Sequence, residues 1–407
     1  MGFRQAYWPW LYLIKMKKNI SILGATGSVG LNTLKIIDAK KKDFKIILLS
    51  ANKNYKLICK QIKKYKPKYY IINNYFIFKL VEKKFKNKKI EILNNFNFNF
   101  RRKKIDFVIS AIPGIAGLHP TLLMIKSCKT ILIANKEAII CGWNLIKNIA
   151  KKNKTKIIPV DSEHYSIFKM IQNHKISSIK KIFLTASGGP FLNLEKNKFK
   201  NIRPKDALRH PKWKMGKKIS VDSSTLMNKM FELVEAQKLF NLPKNKIDIL
   251  IHPNSLVHAI VEFKNGLTQF LYHETSMIIP IANAIYDGNL NIAEYLKKDN
   301  VSFEKNKIEN LVFKKVDKKI FPSISLKSKI NQYPSSPIII NAANEVLVDN
   351  FLRQKIPFLR IFEIIKTIMN DRNYKKYAVK KPIKIYQIKL IDSWARSITV
   401  NKIKLKR

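Results

Sequence analysis

Two carboxylate side chains stand two residues apart, directly after a short apolar run in the middle of the chain. The run, residues 157–160, is rich in residues typical of strands, and Asp161, Ser162 and Glu163 follow it. If the strand continued through Glu163, its period of two would place both carboxylates on one face, where they could hold Mg²⁺ or Mn²⁺. Alternatively, Asp161 caps a helix and Glu163 lies in the first turn, near the positive end of the helix dipole. This triplet alone slightly favours the helix start.

A second acidic stretch predicts a helix over residues 221–236. The serine pair 223–224 supplies good N-cap residues, and Asn228, Glu232 and Glu235 follow at i, i+4 and i+7. This polar row is either a plain solvated face or the source of a third carboxylate for the same cation. In the second case, Glu232 and the Asp–Ser–Glu triplet would form a three-carboxylate octahedral site completed by water.

Small polar residues in two places could hold an anion. Residues 183–190 predict a strand that runs into Ser187 and two glycines, which would present a hydroxyl and backbone N–H groups to a phosphate. Ser223, Asn228 and Lys229 offer comparable donors near the N-terminus of the second predicted helix.

A long polar segment separates these two places and ends in Arg-His-Pro-Lys-Trp-Lys-Met-Gly at residues 209–216. A long loop that carries His210, Trp213 and Met215 beside a binding site is a candidate lid. The alternative is a surface loop whose Trp213 packs back onto the body of the protein.

The first third of the chain predicts a nucleotide-binding fold. A strand at 19–23 leads directly into Gly-Ala-Thr-Gly-Ser-Val-Gly at 24–30, and an apolar helical run follows. In this context the glycines let the backbone approach a pyrophosphate, and the helix N-terminus supplies N–H donors. After a second strand at 44–50, Lys53 and flanking amides replace the acidic residue that binds the ribose of NAD, which favours NADP.

Further predicted strands alternate with helical stretches, which is typical of a doubly wound parallel sheet. Ligands bind at the carboxyl ends of such strands, and Asn135, Lys136 and Glu137 stand at one of these ends. An ordinary solvated Lys–Glu pair explains the last two residues equally well. The additional strands are predicted at residues 69–72, 89–93, 106–110 and 130–134.

Composition limits the function classes. The 407 residues, 46% of them hydrophobic, are enough for two or three folded domains. A formal net charge of +52 would normally indicate nucleic acid or an anionic membrane as partner. However, Lys outnumbers Arg and is spread among Ile, Asn, Phe and Tyr, whose codons are also A/T-rich. We therefore attribute the charge to mutational bias and expect neither nucleic acid nor a membrane as partner.

The cysteines and the N-terminus indicate where the protein acts. Cys59, Cys128 and Cys141 show no paired spacing, which predicts reduced thiols and a cytoplasmic location. No apolar run reaches the roughly 18 residues that a membrane span requires. Residues 1–15 lack a signal-peptide cleavage site, and Met16 looks like a more natural start, so we expect an extension without function.

In combination, these motifs resemble the 1-deoxy-D-xylulose 5-phosphate reductoisomerase family from about Lys17 to near the C-terminus. The most specific segments, in chain order, are GATGSVG, ANKEAII, PVDSEHYSIF, LTASGGPF, RHPKWKMGKKISVDSSTLMNK, IHPNSLVHAIVEF and NAANEV. The resemblance implies an enzyme that uses NADPH and Mg²⁺ or Mn²⁺, with Co²⁺ as a third candidate. Its substrate would be a phosphorylated sugar, which it would rearrange and reduce to 2-C-methyl-D-erythritol 4-phosphate for non-mevalonate isoprenoid synthesis. It also implies a homodimer.

The resemblance further implies a set of site residues. The metal would be held by Asp161, Glu163 and Glu232. NADPH would contact Thr26, Gly27, Ser28, Val29, Asn52, Lys53, Asn54, Asn135, Glu137 and Gly216. The substrate would be held by Lys136, Ser162, Glu163, Ser187, His210, Ser223, Asn228, Lys229 and Glu232. Of these, Lys136, Glu163 and His210 would be catalytic. Trp213 and Met215 would belong to a flap at about 187–217 that closes over the substrate.

The expected fold is α/β, with three parts. An N-terminal Rossmann-type doubly wound sheet would bind NADPH over residues 16–160, and a central α+β catalytic domain would span 161–300. A linker at 301–326 would lead to a C-terminal α-helical domain at 327–407.

Two segments depart from the family's pattern. Asn52 stands where Ala-Gly-Lys-Asn would place a glycine, so a backbone approach to the cofactor carries a side chain here. Residues 275–278 read Thr-Ser-Met-Ile instead of Pro-Asp-Met-Arg, which puts any Asp–Arg pairing in that loop in doubt.

Two other functions compete with this interpretation. A semialdehyde-type NADP-dependent dehydrogenase would share the glycine loop, but it needs a nucleophilic Cys that no motif here supplies. A basic nucleic-acid-binding protein would show tight duplex binding with a steep salt dependence.

Overall fold

The first layer of the fold is a seven-stranded, all-parallel sheet. The computed structural model describes residues 17–97, 105–213, 215–292 and 311–404, so the extension predicted at 1–15 lies outside the described residues. The strands of this sheet are β1 (Lys18–Leu23), β2 (Phe44–Ala51), β3 (Tyr69–Ile72), β4 (Glu91–Leu93), β5 (Ile105–Ser110), β6 (Cys128–Ile133) and β7 (Lys156–Pro159). Their spatial order is β4-β3-β2-β1-β5-β6-β7, and every neighbouring pair is parallel. The chain order reverses between β1 and β5, and such a switch point opens a ligand crevice.

Helices join these parallel strands because a parallel connection needs a crossover. Each buries an apolar stripe against the sheet, as Leu34, Ile36 and Ile37 do in the first helix. The helices are α1 (Ser28–Ala39), α2 (Tyr55–Tyr65), α3 (Tyr75–Phe85), α4 (Leu118–Ile125) and α5 (Lys136–Asn153).

The glycine turn after β1 lies at this switch point. Gly24 has a φ of +85°, and a Cβ there would lie 2.7 Å from the carbonyl oxygen of Ala111, at the end of β5. A Cβ on Gly30 would lie 2.4 Å from the carbonyl oxygen of Gly24. Only glycine at both positions lets α1 start this close to the strand ends, as the sequence pattern predicted.

The second layer is a five-stranded mixed sheet. Its strands are β8 (Ile179–Ala186), β9 (Ile247–Ile251), β10 (Val257–Phe263), β11 (Thr268–Tyr272) and β12 (Lys314–Lys315). The spatial order is β11-β10-β8-β9-β12, in which only β8 and β9 pair in parallel. The associated helices are α6 (Ser162–Ile171), α7 (Pro204–Ala207), α8 (Lys217–Ser224), α9 (Met227–Phe240) and α10 (Ile278–Tyr286). β12 falls within the segment predicted as a linker, whose residues 301–310 lie outside the described ranges.

Helices complete the fold at the C-terminal end. They are α11 (Ser336–Leu352), α12 (Arg360–Met369), α13 (Tyr374–Ala378) and α14 (Ile385–Lys404). The predicted α/β class, with a doubly wound sheet, a second sheet and C-terminal helices, is therefore confirmed. Within the described ranges, no helix is long and apolar enough to cross a membrane.

Candidate active site

The carboxylates of Asp161, Glu163 and Glu232 meet in one cleft. β7 ends at Pro159 and α6 begins at Ser162, so the helix start that the triplet alone slightly favoured is confirmed, and the alternative of a strand continued through Glu163 is wrong. Asp161 occupies the N-cap position, yet its side chain makes no capping hydrogen bond. Glu232 comes from α9, which packs between α5 and the second sheet. One oxygen from each carboxylate lies within 4.8 Å of the other two.

Two buried lysines offset the charge of these carboxylates. Lys136, the first residue of α5, lies with its Nζ 3.2 Å from Asp161 Oδ2 and 2.9 Å from Glu232 Oε1. Lys229 lies with its Nζ 2.6 Å from Glu232 Oε2 and also pairs with Glu163. Both lysine side chains are less than a tenth exposed. Three negative and two positive groups therefore share one largely buried site, in which every carboxylate pairs with a lysine and one negative charge remains in excess.

Burial and neighbouring charges shift the pKa values of these groups in different directions. Burial and the nearby Glu232 raise the pKa of Glu163 to about 7. Burial acts in the same sense on Asp161, but the ammonium of Lys136 and the ring of His164 outweigh it and hold its pKa well below the usual range. Asp161 Oδ1 is buried and has no hydrogen-bond partner among the described residues. An unpartnered oxygen in an anion-rich cluster fits a divalent cation.

The ring of His164 contacts acidic residues from two separate parts of the chain. His164 Nε2 lies 2.9 Å from the carbonyl oxygen of Glu232, so Nε2 carries the proton and donates it. His164 Nδ1 lies 3.5 Å from both Asp161 Oδ1 and Glu235 Oε2. Glu235 is fully buried, and burial raises its pKa to about 8. The solvated face considered for the row that contains Asn228, Glu232 and Glu235 is therefore absent, because all three are buried.

A cradle for an anion adjoins the carboxylates. Ser187 follows β8, and its Oγ accepts the backbone N–H of Gly189 at 3.1 Å. His210 Nδ1 accepts the N–H of Trp213 at 2.9 Å, so the proton of the neutral ring lies on Nε2, which donates to Ser187 Oγ at 3.0 Å. Burial and the charge of Lys229 lower the pKa of His210 to about 4, which keeps this ring neutral.

The start of the acidic helix differs from the prediction. The serine pair 223–224 does not cap it; instead, these residues end α8, and α9 begins at Met227 after Leu226 with a φ of +62°. The sequence shows one continuous polar and apolar pattern here, so the break was not predictable from periodicity. Ser223 still faces the cleft, as does Ser162 at the start of α6.

The segment predicted to be a flap contributes aromatic and thioether side chains to the wall of the cleft. Trp213, Met215 and Gly216 all line it, and the Trp213 ring packs edge-to-face on His258 with 5.9 Å between centroids. His258 also lines the cleft and stacks on His273 with 3.9 Å between ring centroids. The spacing of His258 from other histidines carries no metal-ligand signature, so its place in the cleft wall was not predictable from the sequence.

The other end of the cleft reaches the glycine turn. Gly27, Ser28, Val29, Asn135 and Glu137 line a cavity of about 500 Å³ that is continuous with the carboxylates. Asn135 Oδ1 caps α5 through the N–H of Ala138 at 2.9 Å, and Glu137 Oε1 accepts from Lys218 Nζ at 2.9 Å. These contacts fix both side chains at the cleft wall, and the solvated Lys–Glu pair considered from sequence is excluded by burial.

The remaining predicted cofactor residues lie outside the cleft lining but beside the glycine turn. Asn52, Lys53 and Asn54 are exposed at the end of β2, and Ser50 Oγ of that strand accepts the N–H of Gly24 at 3.0 Å. Asn54 Oδ1 caps α2 at 3.1 Å from the N–H of Leu57. Thr26 is half-buried within the turn itself.

The departure at 275–278 is accommodated by packing. Ile278 begins α10 and lies buried with Ile281 and Ile285 in the core of the first sheet. An apolar contact therefore occupies the position where an arginine was expected. Met277, the residue before it, still lines the cleft.

The cysteines do not supply the nucleophile of a semialdehyde dehydrogenase. Cys59, Cys128 and Cys141 are buried and are absent from the residues that line the cleft. Burial raises the pKa of Cys128 to about 12, so its thiol is not activated.

Models of one protein family match three successive segments of the chain. Residues 20–142 match the family model for 1-deoxy-D-xylulose 5-phosphate reductoisomerase. Residues 157–240 match the model for the C-terminal domain of the same reductoisomerase, and residues 273–398 match a model described as the DXP reductoisomerase C-terminal domain.

Individual relatives are similar to this chain in sequence over nearly their full length. The chain is 47% identical to the 1-deoxy-D-xylulose 5-phosphate reductoisomerase of Pelagibacter ubique over 383 residues, which is 93% of this chain and 97% of the relative. The enzyme of the same name from Wolbachia pipientis wMel is 38% identical over 87% of this chain and 90% of the relative.

Solved structures are similar as well. A DOX-P reductoisomerase in complex with NADPH, fosmidomycin and magnesium superposes with a TM-score of 0.87 at 32% identity, covering 95% of this chain and 98% of that one. The Zymomonas mobilis reductoisomerase in complex with NADPH gives a TM-score of 0.83 at 29% identity, covering 95% and 99%.

Proposed function

Because the chain belongs to the 1-deoxy-D-xylulose 5-phosphate reductoisomerase family, we propose that the acidic and basic side chains of its cleft perform this family's reaction. The enzyme is an NADP-dependent oxidoreductase. With NADPH and a divalent cation, it rearranges and reduces 1-deoxy-D-xylulose 5-phosphate to 2-C-methyl-D-erythritol 4-phosphate in isoprenoid biosynthesis. The assignment of the site rests on one observation: three carboxylates and two lysines share a cleft with the glycine turn.

Asp161, Glu163 and Glu232 would hold the cation. Their oxygens lie within 4.8 Å of one another, and an all-oxygen donor set suits Mg²⁺ or Mn²⁺. When bound, the cation stabilises negative charge on the substrate's carbonyl and hydroxyl oxygens. Lys136 and Lys229 reduce the repulsion among the carboxylates before it arrives, so the ligands stay close together.

The glycine turn and the residues around it would bind NADPH, which supplies the hydride for the reduction. Backbone N–H groups at the start of α1 suit the pyrophosphate, and the exposed Lys53 suits the 2′-phosphate. The proposed contacts are Thr26, Gly27, Ser28, Val29, Asn52, Lys53, Asn54, Asn135, Glu137 and Gly216.

The anion cradle would hold the phosphate of the substrate. His210 contributes through Ser187: its neutral Nε2–H donates to Ser187 Oγ, so the hydroxyl proton of Ser187 can donate to the phosphate. Lys229 adds a full positive charge at the inner wall, and Ser223 and Asn228 add neutral donors. Binding energy gained at this remote group helps to orient the reacting carbons. Trp213 and Met215 of the flap then cover the substrate and keep water from the aldehyde intermediate.

Two side chains are placed to handle charge and protons at the reacting carbons. The Nζ of Lys136 is buried at the cleft floor and offers three N–H donors, so it can donate to a substrate oxygen as charge develops there. Glu163 accepts a hydrogen bond from Ser162 Oγ at 2.6 Å. Its carboxylate is held at the start of α6, where it can take the proton of a substrate hydroxyl during the rearrangement.

A coupled assay tests this function. Purified protein should oxidise NADPH only when both 1-deoxy-D-xylulose 5-phosphate and Mg²⁺ or Mn²⁺ are added, and a chelator should stop the reaction. A folded protein that binds NADPH but leaves it unoxidised with substrate and either metal present would refute the assignment.

We also propose a cytoplasmic homodimer and the three-part division described above. Among the described strands, β11 is the outermost one of the second sheet, and Leu267 and Phe270, next to it and in it, are 59% and 52% exposed. Exposed apolar side chains of this size favour burial against a second copy. Light scattering should give twice the mass of the chain, and Phe270→Lys should shift it towards the monomer.

A further inference from the structure

One hydroxyl in the cleft has no partner. Ser255 is 6% exposed, and its Oγ is buried without a hydrogen-bond partner among the described residues. It nevertheless lines the same cavity as Ser187, Lys229 and Trp213. A buried hydroxyl that lacks a partner costs free energy, so such groups are usually satisfied by something that binds beside them.

The backbone at this position is also unfavourable for a serine. Ser255 has a φ of +55°, in the left-handed region that a residue with a Cβ rarely adopts. Its N–H donates to the carbonyl oxygen of His252 at 3.0 Å, which closes the turn between β9 and β10. Glycine or asparagine would fit this turn with less strain. A serine held here points to a use for the hydroxyl rather than to the needs of the turn.

The turn is anchored next to the anion cradle. The N–H of His252 donates to the carbonyl oxygen of Ala186 at 2.7 Å, and Ala186 directly precedes Ser187. On the other side, Thr185 Oγ1 donates to the carbonyl oxygen of Val257, at the start of β10. These bonds hold the turn against the end of β8, on the side of the cleft where the cradle lies.

We propose that Ser255 is a further substrate-binding residue, whose hydroxyl donates to an oxygen of the bound sugar phosphate. The inference rests on the proposed function, because that function supplies the ligand. The acceptor is either a phosphate oxygen or a hydroxyl of the carbon chain, both of which accept from a serine. Bound substrate would satisfy this buried hydroxyl, which belongs to a residue of the cleft wall.

Two substitutions separate binding from folding. Ser255→Ala removes the hydroxyl and keeps the strained backbone, whereas Ser255→Gly removes the hydroxyl and relieves the strain. Their effects on thermal stability should therefore differ. Both should raise the KM for 1-deoxy-D-xylulose 5-phosphate by about tenfold, the equivalent of one hydrogen bond of about 1.4 kcal/mol, without changing the KM for NADPH. Ser21→Ala is the matched control, because Ser21 Oγ is also buried and unpartnered but lies in β1, outside the cleft lining.

Inorganic phosphate, used as a competitive inhibitor, locates the acceptor. If its inhibition constant rises together with the KM in both variants, the hydroxyl contacts the phosphate. If only the KM rises, it contacts the carbon chain. An active wild-type enzyme whose KM is unchanged in both Ser255 variants would overturn the inference. A wild-type protein inactive with substrate, NADPH and metal would instead count against the proposed function.

Discussion

Replacing Lys229 by methionine should destabilise the metal-free protein, and a divalent cation should reverse most of the loss. Lys229 Nζ bridges Glu163 and Glu232, whose oxygens lie no more than 4.8 Å apart. At an effective dielectric constant of about 20, two unit charges 4.8 Å apart repel by about 3.5 kcal/mol. Met fills the same volume without offsetting that repulsion. At about pH 8, above the pKa of about 7 of Glu163, we therefore expect the free energy of unfolding to fall by up to about 3 kcal/mol. A cation held by the same oxygens would offset it again.

The assay is thermal unfolding of the Lys229→Met variant with a chelator and then with excess MnCl₂. Lys238→Met is the matched control, because Lys238 is also a largely buried lysine, but its Nζ donates to the carbonyl oxygen of Ile140 at 2.7 Å. Manganese should raise the unfolding midpoint of Lys229→Met more than it raises that of wild type. It should raise the midpoint of Lys238→Met by no more than it raises that of wild type. Equal shifts in all three proteins would refute the placement of the cation between these carboxylates. Catalysis should stay impaired in Lys229→Met with metal present, because the phosphate still lacks its cationic partner.

Two further predictions concern the cofactor wall and the response to acid. Lys218 pairs with Glu137 at 2.9 Å and with Asp222 at 2.8 Å. Because Lys218→Met removes both ion pairs, it should raise the KM for NADPH by about tenfold with little change in the KM for substrate. Steady-state kinetics measure both constants. An unchanged KM for NADPH would contradict this role of Glu137. Burial lowers the pKa of His273 to about 4 from an ordinary value of 6.5, so the unfolded chain takes up the proton first as the pH falls. Stability from this residue is therefore intact above pH 6.5 and is lost as the pH falls from 6.5 towards 4, by about 2 kcal/mol at pH 5. In urea titrations at pH 7.5 and 5, His273→Gln should lose less stability than wild type, and equal losses would contradict the assignment.

Much of the fold was predictable because its signals are local. A strand, a glycine turn and an apolar helix predicted β1, the crevice and α1, and Tyr69–Ile72 appears as a strand with the predicted bounds. The segment after β7 was predictable only as a pair of alternatives, since residues 161–163 fit both a strand end and a helix start, with the helix start slightly favoured. The structure selects the helix, yet leaves Asp161 free of its expected capping bond.

Features that depend on distant parts of the chain were not predictable. The burial of Glu232 and Glu235 results from packing of α9 between α5 and the second sheet, which no local pattern specifies. The break at Leu226 and the left-handed Ser255 are backbone conformations at residue types that do not signal them. The place of His258 in the cleft wall depends on pairing between β8 and β10. The spacing of the residues offered the grouping of Asp161 with Glu232 only as an alternative, and the family resemblance favoured it.

Crystals grown with Mn²⁺ and examined for anomalous scattering at the manganese edge test the central claim most directly. Our account predicts one strong peak within about 2.5 Å of oxygens from Asp161, Glu163 and Glu232. The protein offers a more deeply buried alternative group, since Asp161, His164 and Glu235 also bring ligand atoms within 4.8 Å of one another. A peak on that second group, or none near Glu163 and Glu232, would contradict the account.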